Sequence, residues 1–350
     1  MDLEVAREDL RRTRIVPGRP LSDELAADRV LCRIESFALT ANNVTYAVTG
    51  DELGYWDCFP ASEEGWGRVP AWGYGEVVTS AHPGVGPGER FFGFWPMSSH
   101  LLLEPVDVGP RGFVDGAEHR AGLSVTYNRY QRAASPGDAD AEGRSSLLRP
   151  LFVTSFLLDD WLGEHDSFGA KVMVVSSASS KTALALGHLL REHRRGDVVG
   201  LTSRTHVDFV AGAGAFDRVV AYDDVTAGLD GESLVYVDIA GDADVRVRIQ
   251  ENAADRLSRI VRVGFTHHDS LPAHFAEEMF FAPDHMQRRA AEWGGAGFVE
   301  RLESAQRGFE RGPGSAIALV RRRGASDVAA AWIEAVDGRA DPATGTICSW

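Results

Sequence analysis

The stretch Val172-Met173-Val174-Val175-Ser176-Ser177-Ala178-Ser179-Ser180-Lys181-Thr182-Ala183-Leu184 decides how this chain folds. Its continuous apolar run, Val172 to Val175, reads as a strand buried on both faces of a parallel sheet. Small residues then turn the chain. Ala183, Leu186 and Leu190 give the segment that follows, up to Glu192, the inward face of a helix. Such a helix start exposes unpaired N–H groups and a partial positive charge. Small side chains in the turn let a phosphate group come close to the backbone.

Working outward, the pattern repeats. Apolar runs recur at Val198-Val199-Gly200-Leu201, Val219-Val220-Ala221-Tyr222, Leu234-Val235-Tyr236-Val237 and Ile260-Val261-Arg262-Val263, with intervals long enough for crossovers. This predicts a doubly wound parallel α/β sheet, a Rossmann unit over residues 151–274. Upstream the character differs. Residues 1–30 are polar and Arg-rich and suit a short strand and a loop. Residues 30–110 hold short alternating runs, such as Leu31-Cys32-Arg33-Ile34-Glu35, broken by Gly84, Gly86, Pro87, Gly88, Gly93 and Pro96. They predict a small barrel or sandwich without helices of ordinary length. Residues 133–148 are polar and rich in breakers, and read as a surface loop or linker. Near the end, Phe298, Leu302, Ala305 and Phe309 mark one helical stripe. Val328, Trp332 and Val336 mark another, and Ala316 to Val320 read as a strand.

Length and charge narrow the functional classes. A chain of 350 residues suggests two domains. Its net charge is −15, which repels nucleic acid and anionic membranes, so neither is an expected partner. An anionic ligand must then find local positive charge. The three cysteines, Cys32, Cys58 and Cys348, are widely spaced and form no CxxC, which argues against a disulfide framework or thiolate zinc and fits a reducing compartment. The charged start Met1-Asp2-Leu3-Glu4 lacks the apolar core of a signal peptide, and no apolar run of about 18 residues occurs. A cytoplasmic location is the expectation.

The central turn lacks the glycines of a dinucleotide fingerprint near Ser176, Ser179 and Thr182. Its hydroxyls at Ser176, Ser177, Ser179, Ser180 and Thr182, with Lys181, offer phosphate contacts instead. A serine-rich helix cap without a ligand is the competing reading. A P-loop reading of Ser180-Lys181-Thr182 fails because Ser176 and Ser180 stand where that motif needs glycine. The second run ends in Ser203-Arg204, a hydroxyl and a guanidinium where an NAD-binding unit would carry an acid. That pair suits a 2′-phosphate, hence NADP(H), and Arg204 as a plain surface residue is the alternative. Tyr222 and Gly264, ending the third and fifth runs, complete the expected cofactor side.

Several motifs resemble the medium-chain dehydrogenase/reductase superfamily, in particular its quinone oxidoreductase branch. Gly86-Pro87-Gly88-Glu89-Arg90-Phe91-Phe92-Gly93 resembles a turn of that family's GroES-like barrel. Gly212-Ala213-Gly214-Ala215 and Asp238-Ile239-Ala240-Gly241 resemble turns of its Rossmann domain. A closer resemblance is to the DUF2855 group. It rests on Ala38-Leu39-Thr40-Ala41-Asn42-Asn43-Val44-Thr45-Tyr46, on Arg149 to Asp160, and on Ser176 to Thr182. The resemblance implies that the Rossmann domain interrupts the other one, with residues 1–150 and 275–350 together forming a GroES-like substrate domain. It implies a homodimer, as relatives often are. The zinc-binding branch has Cys where Ala41 stands and Gly-His-Glu where Gly73-Tyr74-Gly75-Glu76 lies, so no metal is expected here.

Zinc-free relatives reduce activated double bonds in quinones and enones, which implies an NADPH-dependent reductase of a small molecule. The developing enolate oxygen needs a hydrogen-bond donor. Tyr46 matches a pocket tyrosine of that branch, with Asn42 and Asn43 beside it, and Tyr127 belongs to a second polar aromatic cluster, Tyr127-Asn128-Arg129-Tyr130. Each is equally a residue of packing or helix surface. Tyr55, Trp56 and Trp66 suit a flat acceptor or plain core, and His267-His268 suit a proton donor or solvent. Two further readings stay open: a non-redox isomerase, lyase or cyclase on the same fold, and a non-catalytic binding protein.

Overall fold

Alternating apolar residues in the first third build strands, as their period of two requires. In the computed structural model, residues 1–18, 25–263 and 277–350 are described. Two units emerge: Met1–Leu148 with Leu319–Trp350, and Arg149–Ala318. The second interrupts the first in sequence.

In the first unit the strands Val30–Leu39, Pro70–Ser80 and Arg90–Pro96 pair antiparallel in turn. Arg129–Ala133, Gly112–Asp115 and Pro105–Gly109 extend the sheet on one side, and Thr344–Ser349 and Ala318–Arg323 on the other. His100–Leu103 also pairs with Val30–Leu39. Inward residues such as Cys32, Phe37, Phe91, Trp95 and Tyr130 form the core.

Residues 41–48 add a short helix to the expected strands. They form helix α1 (Ala41–Val48). The signal was local. Thr40 caps the helix by accepting the Asn42 amide at 3.2 Å, and Asn43 returns its Oδ1 to the Thr40 amide at 2.7 Å.

The expected linker is corrected as well. From Ala139 it is the start of helix α2 (Ala139–Glu164). Asp138 accepts the amides of Asp140 and Ala141, and Asp140 and Glu142 supply first-turn acid. Polar residues mark an exposed helix start as readily as a loop. The helix also tolerates Pro150 in its interior.

The second unit holds strand β1 (Val172–Val175), helix α3 (Lys181–Glu192), β2 (Asp197–Thr202), α4 (Val207–Ala213), β3 (Arg218–Ala221), β4 (Leu234–Asp238), α5 (Ala243–Ala253) and β5 (Leu257–Val263). After the undescribed residues 264–276 come β6 (Glu277–Phe280) and α6 (Ala282–Arg311). Every strand pairs parallel to its neighbour, in the order β3-β2-β1-β4-β5-β6. This is the Rossmann order, with its switch point between β1 and β4.

The return to the first unit falls at Leu319, not near residue 275. β6 and α6 stay with the parallel sheet. Met279-Phe280 gave too short an apolar run to announce a sixth strand, whereas Phe298, Leu302 and Phe309 are buried on the expected stripe of α6. The final helix, α7 (Ala325–Val336), buries Val328 and Trp332 as its spacing predicts.

Candidate functional site

The turn between β1 and α3 lies at the switch point. Its serines divide by role. Ser176 is spent inside the fold: its fully buried Oγ accepts the amides of Ile239 and Ala240, at 2.9 and 3.0 Å, and donates to Asp238 at 3.2 Å. It ties the end of β1 to the end of β4, so its hydroxyl does not serve as a phosphate contact. Ser180 caps α3, its Oγ accepting the Ala183 amide at 3.1 Å. Ser177, Ser179, Lys181 and Thr182 are half-buried around the turn.

A dinucleotide phosphate would need a tight turn and close helix-to-sheet approach. Ser177 provides the first, with φ of 54°, a left-handed conformation that glycine normally occupies. Gly187 and Gly200 provide the second. A Cβ at 187 would lie 2.6 Å from the Phe216 ring, and one at 200 would lie 2.9 Å from the Ala178 Cβ. The residues therefore fit such a ligand, although the glycines sit outside the fingerprint positions. One contact opposes it. The Tyr222 hydroxyl accepts the Ser177 amide at 2.7 Å, and burial pushes this phenol's pKa up, keeping it protonated.

At the end of β2 the exposed Arg204 guanidinium already faces Asp224 at 3.0 Å and Asp223 at 3.5 Å. Those acids partly neutralise the charge intended for a 2′-phosphate. Ser203 shares its hydroxyl with Thr205 and with His206 Nδ1, both at 3.0 Å. Gly264, His267 and His268 lie outside the described residues.

Sequence reasoning missed a buried ion pair beside the turn. Asp238 and Arg246 are both inaccessible and meet at 2.7 Å. Asp238 also receives hydrogen bonds from Tyr236 and the Gly241 amide. Its signal was present as the Asp-x-x-Gly end of β4. Arg246 gave none, because one arginine on a helix reads as surface.

In the first unit, Tyr46, Tyr55 and Tyr127 do come together. The Tyr46 ring centroid is 4.6 Å from that of Tyr55, 5.3 Å from Phe94 and 6.4 Å from Tyr127. Trp72 Nε1 donates to the Tyr46 oxygen at 3.2 Å, and the half-buried Asn42 side chain also hydrogen-bonds that phenol. Tyr55 and Tyr127 share a hydroxyl hydrogen bond of 2.8 Å. Burial raises all three phenols, with the neighbouring tyrosines adding to it, so they stay protonated and are donors. Because Tyr46 oxygen accepts from Trp72, its own proton is left to give.

Other expected residues fall elsewhere. Asn43 completes the cap of α1 and donates to the Pro70 carbonyl at 2.8 Å. Trp56 is core, and Trp66 lies beneath Arg12 and Arg14 at 5.0 and 4.1 Å. Asn128 and Tyr130 bind the fully buried Arg120. Arg120, another residue that the sequence did not mark, donates to the Tyr127 carbonyl at 2.5 Å. No group of three or more His, Cys, Asp or Glu suited to a metal occurs among the described residues.

No curated protein matches the chain. Solved structures do. CurA from Vibrio vulnificus, in complex with NADPH, is 12% identical, with 94% of this chain and 93% of that chain covered and a TM-score of 0.58. The yhdH oxidoreductase from Salmonella enterica, in complex with NADP, is 14% identical, covering 100% and 99% at 0.55. The apo form of the JamJ enoyl reductase is 12% identical, covering 99% and 98% at 0.58. These likenesses establish the fold, an α/β chain in which a Rossmann sheet interrupts a β-rich GroES-like domain. A family model described as a protein of unknown function, DUF2855, matches residues 37–341, and the chain therefore belongs to the DUF2855 family.

Proposed function

We propose that this protein is a zinc-independent, NADPH-dependent reductase of an activated double bond in a quinone, enone or enoyl-type small molecule. The observation that carries the reading is the left-handed, hydroxyl-lined turn before α3 at the switch point of a Rossmann sheet. Similar folds that bind NADPH or NADP support it.

The α3 amides and the hydroxyls of Ser177, Ser179 and Thr182 would hold the pyrophosphate, with Lys181 beside them. Tyr222 must release the Ser177 amide for this. Ser203 and Arg204 would hold the 2′-phosphate, the Arg204 guanidinium turning to it from Asp223 and Asp224. When bound, NADPH supplies hydride to the β-carbon of the acceptor. Tyr46 would donate a hydrogen bond to the acceptor oxygen where negative charge develops, and Asn42 and Trp72 hold the Tyr46 oxygen in place. Tyr127, through Tyr55, closes the aromatic wall.

Fluorescence titration with NADPH and NADH tests the reading. NADPH should bind, and Arg204→Ala should weaken it about tenfold or more, roughly 1.4 kcal/mol, while NADH changes little. Equal losses for both dinucleotides would remove the 2′-phosphate assignment. Failure of both to bind wild-type protein would leave the non-redox and binding-protein readings.

A further inference from the structure

A cleft lies wholly within the first unit, with a volume of about 410 Å³. Its walls come from the strands Val30–Leu39, Ala318–Arg323 and Thr344–Ser349 and from the start of α2. None of the residues assigned to the reductase site lines it, and its reading does not depend on that assignment.

Its charges are balanced in number but unevenly partnered. Glu76 is held by Arg33 at 2.5 Å, and Arg321 is held by Asp140. That leaves Glu35 and Glu142 with Arg90 and Arg323. Arg90 is almost fully buried, and each of its three nitrogens is engaged. Nε and one terminal nitrogen bind Glu35 Oε2, at 2.8 and 2.7 Å. The remaining bonds go to both oxygens of Glu142, each at 2.7 Å, and to the Ala134 carbonyl at 2.6 Å. Arg90 therefore has nothing left to offer a ligand.

Unused hydrogen-bonding capacity remains. Glu35 gives only Oε2 to Arg90, so Oε1 has no partner among the described residues. Arg323 makes no side-chain hydrogen bond or ion pair among them, and only its backbone amide is engaged, with Asp327. Glu76 likewise engages only its Oε2, so the cleft sets spare carboxylate oxygens on Glu35 and Glu76 beside one guanidinium, Arg323, that has no side-chain partner among the described residues. Ser36 and Ser349 line the same space. A lone anion would meet the unshared Glu35 oxygen, and a lone cation would meet Arg323. A molecule carrying both charges satisfies both.

We infer that this cleft binds a small zwitterion with the chemistry of an α-amino acid. Its carboxylate docks on the planar fork of Arg323, which suits bidentate pairing. Its ammonium docks on Glu35 Oε1, and the serine hydroxyls take the remaining hydrogen bonds. The cavity is of the size that holds small-molecule ligands.

Calorimetric titration of the full chain at low ionic strength tests this, with the common amino acids added singly and with propionate and propylamine as half-ligands. At least one amino acid should bind, and both half-ligands should bind it tenfold more weakly or worse. Arg323→Ala and Glu35→Gln should each weaken the amino acid about tenfold. Arg323 is exposed, so its removal leaves the fold intact, and a circular dichroism melt checks this for both variants. Binding of propionate or propylamine as tight as that of every amino acid overturns the zwitterion assignment. So does an unchanged affinity in folded Arg323→Ala, or the absence of binding by any amino acid at millimolar concentration.

Discussion

At the scale of single residues, the same side-chain type takes opposite roles according to what surrounds it. Four serines between positions 176 and 180 look interchangeable in sequence. Ser176 is locked to β4, Ser180 caps α3, and only Ser177 and Ser179 remain for a ligand. The tyrosines show the same dependence. Tyr130 is buried and donates to the Phe94 carbonyl, whereas Tyr46 keeps its proton for use. Removing that proton is therefore informative. Tyr46→Phe should lower kcat by about 10²–10³, the usual cost of losing one donor to a developing oxyanion, with little change in KM. A loss of only a fewfold, at unchanged melting temperature, would assign Tyr46 to packing.

Among elements, the contact between α2 and α3 carries a pH dependence. His193, which closes the C-terminus of α3, meets the buried Asp159 of α2 at 2.6 Å through Nδ1. The hydrogen bond to Asp159 raises the His193 pKa above its ordinary value, against an opposing effect of burial. A raised folded-state value means that the protonated form stabilises the fold. That contribution is complete below the unfolded histidine value of about 6.5 and fades as pH rises through the higher folded value. The difference in melting temperature between wild type and His193→Gln should accordingly be largest in mild acid and smallest above neutrality. A difference that grows with pH would reverse the sign and disprove the pairing. The cofactor turn is likewise a product of several elements. Its tight packing comes from Gly187 in α3 and Gly200 in β2, while Tyr222, just beyond β3, reaches Ser177.

For the whole molecule, the sequence departures at Ala41 and at Gly73 to Glu76 predict a fold that needs no metal. Treatment with a strong chelator should leave the melting temperature and NADPH affinity of the purified protein unchanged. A fall in either, restored by zinc, would point to ligands that the sequence did not reveal. The chain alone determined the larger architecture. Buried parallel strands need unbroken apolar runs, so β1 to β5 were legible, and turn residues broke the first third into short strands. It also determined which residue types stand at the ends of those strands. It did not determine that residues 139–148 are helical, that a sixth strand keeps the chain in the parallel unit until Ala318, or that Arg246 is buried. Nor did it show which hydroxyls are already bound, or that Glu35 and Arg323 are left with unused hydrogen-bonding capacity in one cleft. Several of those outcomes depend on partners far apart in sequence, as Ser176 with Ile239 and Glu35 with Arg90. Hydrophobic periodicity is a local property of the chain, whereas the partnering of a polar group is settled only when the fold brings its neighbours within hydrogen-bonding distance.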